Sequence, residues 1–114
     1  MNQSGLTRCA FFQGRILPGM EAAFYQHVEN VMIPLWSRFP AVREVRVLTQ
    51  ESADIDRPAY PLVMVMRFDS HQDIELALAS PVRAQSKRES AALIAMFEGT
   101  IFHTVFNHLS PAGA

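Results

Sequence analysis

The run Leu62–Phe68, LVMVMRF, is apolar at both odd and even positions, with Arg67 the one interruption. Successive side chains of a strand point to opposite faces, so such a run is buried on both sides and belongs in the middle of a sheet. Leu6–Gln13 has the same character, with Leu6, Ala10 and Phe12 on one side, Cys9 and Phe11 on the other, and Gly5 and Gly14 as bounds. Val42–Thr49 differs. There Val45 and Val47 share a face with Arg43 and Thr49, while Val42 and Leu48 alternate with Glu44 and Arg46, a half-exposed edge strand protected by charge. Ile101–Leu109 is the fourth predicted strand, followed by a tail at Ser110–Ala114.

Between the first two strands lies PGMEAAFYQHVENVMIPLWSRFP, from Pro18 to Pro40. Met20, Phe24, Val28, Val31, Leu35 and Phe39 recur at helical spacing and predict one apolar face. Tyr25, Met32 and Trp36 lie along one flank of it and His27 along the other. Pro34 removes a hydrogen bond to the Asn30 carbonyl, so the helix is expected to loosen around Asn30–Ile33. Later in the chain, Ser70 is placed to cap a helix over Gln72–Ala79. Ser80-Pro81 starts another, running to about Phe97 and stopped by Gly99. In that helix Arg83, Lys87 and Arg88 read as a solvated face, and Leu93, Ile94, Met96 and Phe97 as core.

The order β-α-β-β-α-β is an α+β, ferredoxin-like split unit: a four-stranded antiparallel sheet with the helices on one face. Its first and third strands are central, matching the two-sided apolar runs. Nothing in a chain of 114 residues, read as one domain over 1–114, is left to cover the other face. A second copy would cover it, so a homodimer is expected. The 49% hydrophobic content fits a buried interface.

A net charge of −1 gives no electrostatic case for nucleic acid or for an anionic membrane. One cysteine, Cys9, excludes an internal disulfide and a multi-cysteine zinc site. With no apolar leader and no spanning run, a cytoplasmic protein is expected. No glycine-rich phosphate loop or nucleophile elbow is present, and no cofactor is implied.

Phe24, Pro34-Leu35 and Phe39-Pro40 carry a family likeness. The chain resembles the dimeric α+β barrel superfamily, and within it the EthD-like proteins. Their usual pattern places a histidine two residues before Pro-Leu; here Met32 stands at that position, so any chemistry of that histidine is lost or moved. The resemblance implies a dimeric barrel and a small-molecule role.

The candidate bases are His27, on the helix flank, and His103, on the last strand with Ile101, Val105 and Leu109. His108 shares the opposite face with Phe102, Thr104 and Phe106. The four histidines show no metal-ligand spacing. Trp36, with Tyr25 and Met32, makes a candidate apolar wall for a flat ligand. Arg67, a charge in a central strand, must find a partner or a ligand anion. Two functions follow. One is an enzyme acting on a hydrophobic small molecule, which the resemblance implies as cofactor-independent oxygenation or isomerisation in catabolic or secondary metabolism. The other is a non-catalytic ligand-binding or accessory dimer. Haem handling is a third class, but no histidine stands out as an axial ligand.

Overall fold

The computed structural model describes residues 5–110; the last four residues of the expected tail lie outside that range. The strands are β1 (Leu6–Ile16), β2 (Glu44–Leu48), β3 (Leu62–Phe68) and β4 (Phe97–Asn107), in sheet order β2-β3-β1-β4. All pairings are antiparallel. The two-sided apolar runs are therefore the central strands and the charged one is an edge.

Cross-strand partners share a face, so the registers assign every side chain. Leu6, Ala10, Phe12 and Ile16 of β1 and Leu62, Met64, Met66 and Phe68 of β3 face the helices and form the core. Thr7, Cys9 and Phe11 face the other way, beside Val63, Val65 and Arg67 and beside Phe102, Thr104 and Phe106. No helix covers that side. Phe11 stacks on Phe102 there at 5.2 Å between ring centroids, and Tyr60 meets Phe11 edge-on at 5.6 Å.

The helices are α1 (Glu21–His27), α2 (Ile33–Trp36), α3 (His71–Leu78) and α4 (Pro81–Ala95). Ser70 and Ser80 cap α3 and α4, accepting from the amides of Asp73 at 3.1 Å and Arg83 at 3.2 Å. The expected loosening before Pro34 takes a definite form. Val28–Met32 is a π-helical turn in which the Ile33 amide donates to the Val28 carbonyl, five residues back. The wider turn accommodates the missing Pro34 amide without ending the helix.

It also moves the buried face. A regular helix over Pro18–Pro40 would bury Val31, which in the wide turn is only half-buried; Met20, also expected on that face, is 42% exposed for a different reason, as the N-cap residue ahead of the first turn of α1. Phe24, Val28, Leu35 and Phe39 of the expected face are buried, and Met32 and Trp36, expected on its flank, join them, so that Phe24, Val28, Met32 and Trp36 form a line spaced by four. Two boundaries near the C-terminus also differ from expectation. Helix α4 ends at Ala95, and β4 already begins at Phe97, so Gly99 is a strand residue and not a helix stop. Phe97 packs edge-on against Phe12 at 5.5 Å, and this contact starts the strand early.

Candidate functional site

The helices do not seal the inner sheet face everywhere. A cavity of about 300 Å³ lies between α4 and the sheet, with Trp36 and Phe39 from the first helical region in its wall. Its origin is side-chain size. Along α4 the residues Arg83, Ser86, Lys87 and Ser90 follow one helical stripe over the sheet, and two are serines. Beneath them β1 contributes Ala10, too short to fill the gap. Phe12, Met64 and Ile101 complete an apolar floor.

Polar groups enter this apolar chamber from three directions. Arg8 rises from β1 and is only 8% exposed; Arg83 and Lys87 descend from α4; His103, the cross-strand partner of Ala10, stands at the rim. No carboxylate lines the cavity among the described residues. The ion pairs lie elsewhere: Arg15 with Glu98, Arg43 with Asp69, and Arg46 and Arg67 with Glu44. The Ser86 and Ser90 hydroxyls donate back to the carbonyls of Arg83 at 2.9 Å and Lys87 at 2.8 Å, so among the described residues the cations are the free donors.

The electrostatic consequence is visible in two groups. Burial, then the neighbouring Arg83, lowers the pKa of Arg8, although a guanidinium stays charged. His103 is pulled down to about 4, first by burial and then by Arg8 and Arg83. Its edge is open to solvent, which screens part of this effect, but the ring is neutral at pH 7 either way.

The sign of the resulting pH dependence follows from linkage. Between the ordinary value of 6.5 and about 4, the unfolded chain takes up a proton at this position that the folded chain refuses. Stability therefore falls as pH drops from 6.5 towards 4. After discounting for screening, the loss is on the order of 1 kcal/mol. His103→Gln should flatten this limb of the melting-temperature profile; an unchanged slope would remove His103 as its source.

Of the residues singled out in the sequence, the structure brings Trp36 and His103 to this cavity. His27 lies elsewhere, its Nε2 2.7 Å from the Glu89 carbonyl, as a strut between α1 and α4. Tyr25 donates to the Pro61 carbonyl at 2.8 Å, and Met32 is wholly buried in the core. Arg67 faces the opposite side of the sheet, 3.5 Å from Glu44. Arg8 is the residue that sequence reasoning missed, and its signal was present: a cation on the inward parity of a central strand, the same anomaly noted at Arg67. Lys87 and Arg88 are exposed as expected, and Arg83 is half-buried; Arg83 and Lys87 also border the cavity because the stripe of α4 that faces the sheet runs through them.

The solved structures most informative here share the whole architecture. An ethyl tert-butyl ether D (EthD) family protein from Bacillus halodurans superimposes with a TM-score of 0.73 at 15% identity, covering 94% of this chain and 100% of that one. This chain has the ferredoxin-like fold of the EthD-like α+β barrel proteins. SnoaB, a cofactor-independent oxygenase from Streptomyces nogalater, gives a TM-score of 0.66 at 19% identity, covering 98% and 100%. A dimeric protein of unknown function from Bacteroides fragilis gives 0.66 at 10% identity, covering 92% and 96%. No family model and no curated protein matches the sequence. Among the described residues, no helix is long and apolar enough to cross a membrane, and no group of three or more potential ligands could hold a metal ion.

Proposed function

We propose that this protein is a homodimer that binds a hydrophobic small molecule in the cavity between α4 and the sheet. The observation that carries the reading is the cavity itself: about 300 Å³ with a Trp36–Phe39 wall and a few convergent polar groups. This is the size and character of a small-ligand site. SnoaB, with the same fold, is an oxygenase that needs no cofactor. That supports a catalytic version in which neutral His103 accepts a proton from the bound molecule and the cations steady the anion. One observation favours the non-catalytic alternative: a base with a pKa near 4 is weak at pH 7. His27 sits too far into the α1–α4 contact to share the work, and Arg67, Tyr25 and Met32 act outside the cavity.

The uncovered sheet face supports the dimer. Phe11, Phe102 and Phe106 share it with Val63 and Val65, and Phe106 is 46% exposed. Proteins of the same fold from Bacteroides fragilis and Jannaschia are dimeric. A second copy, packed sheet to sheet, would cover this face.

The test uses the single tryptophan as a marker. Titration with 2-naphthol should move the Trp36 indole signal in NMR spectra of a species with twice the chain mass by light scattering. Ser90→Phe, which fills the cavity from α4, should weaken binding at least tenfold while leaving the circular dichroism unchanged. An unmoved indole signal would reject the binding site, and a monomer at micromolar concentration would reject the dimer.

A further inference from the structure

The geometry points to an organic anion as the ligand: a flat apolar body against Trp36 and Phe39, with a carboxylate set between Arg8, Arg83 and Lys87. This deepens the preceding proposal and rests on its reading of the cavity as a binding site. Its ground is a charge imbalance. Arg8 is a buried cation with no carboxylate partner among the described residues, while Arg15, Arg43, Arg46 and Arg67 all have one.

Burying an unpaired guanidinium is costly, and placing Arg83 beside the same space adds repulsion, with the exposed Lys87 at its solvent side. A protein needing only a closed core would put a leucine at position 8, in line with Leu6 and Phe12. The arrangement becomes favourable when a carboxylate enters, because guanidinium and carboxylate pair through charge-assisted hydrogen bonds, stronger still out of water. The serine hydroxyls, committed to the helix backbone, do not compete for it. The aromatic wall and the Ala10 floor take the remainder of the molecule.

Isothermal titration calorimetry with 2-naphthoate and its neutral isostere 2-naphthamide tests this, with the Trp36 indole signal again marking the site. The acid should bind at least tenfold more tightly than the amide, and the advantage should vanish in Arg8→Gln. Because position 8 is buried, the double variant Arg83→Gln/Lys87→Gln, on the surface helix, provides an independent check and should cut the advantage several-fold. Equal binding of acid and amide, with Trp36 perturbed by both, would overturn the anion inference and leave the binding site standing. An advantage that survives the double variant and Arg8→Gln would also overturn it. Failure of both probes to perturb Trp36 would overturn the site and the inference together.

Discussion

Gly99→Ala should destabilise the protein by at least about 3 kcal/mol, among the largest effects of any single surface substitution. Gly99 and Gly14 are partners across the β1–β4 ladder, with φ of +150° and +148°. A Cβ on Gly99 would fall on the Gln13 carbonyl oxygen, and a Cβ on Gly14 on the Glu98 carbonyl oxygen. Both obstacles are backbone, so neither can swing aside, and the strands would have to part. Gly19 is the control. Its φ is +82°, but nothing lies within 4 Å of the place a methyl group would take, so Gly19→Ala should cost only about 1 kcal/mol. Urea unfolding of the two variants decides it. Equal costs would show that dihedral strain, not close approach, fixes these glycines. Gly14→Ala combined with Gly99→Ala should cost less than the sum, since one separation of the strands relieves both.

Met32→His should lower stability by about 2–4 kcal/mol, or roughly 10 °C in melting temperature, and should confer no new activity. The substitution installs the residue that the resembled proteins carry two positions before Pro-Leu. Here the position is wholly buried, between Val28 and Trp36 in the core line of the first helix, and it does not line the cavity. An imidazole there loses the packing of the flexible thioether and finds no water. A variant that is as stable as the parent, or that gains turnover of a cavity ligand, would show that the side chain at 32 reaches the site.

Much of the architecture was legible because it rests on parity. Two-sided apolar runs at Leu6–Gln13 and Leu62–Phe68 can only be central strands, and Ser70 and Ser80-Pro81 start helices by local chemistry alone. What failed was phase. A constant 100° step puts Val31 on the buried face and Met32 and Trp36 on its flank, and a single π-turn is enough to bury Met32 and Trp36 while leaving Val31 half-exposed. Gly99 has the local signature of a helix stop, and only its pairing with Gly14, far away in sequence, reveals another role.

The cavity was partly legible, through Trp36 and His103, for a related reason. A void is defined by what small residues fail to fill, and Ala10, Ser86 and Ser90 carry no positive signal. Arg83 and Lys87 look solvated in any helical projection, and Lys87 is; that both also border a cavity shows only once the sheet beneath them is known. Arg8 could have been found from parity alone, since it shares its side of β1 with Leu6, Ala10 and Phe12.

The wide turn at Val28–Met32 has a mechanical meaning as well. It works as a phase adapter between two gears: Phe24 meshes with the core upstream, while Trp36 is turned to the chamber wall downstream. The single turn of α2 that follows is too short to correct an error in angle. The orientation of the wall therefore depends on the wide turn, which closes with the i→i+5 hydrogen bond from Ile33 to Val28, next to a proline that cannot restore the tighter winding.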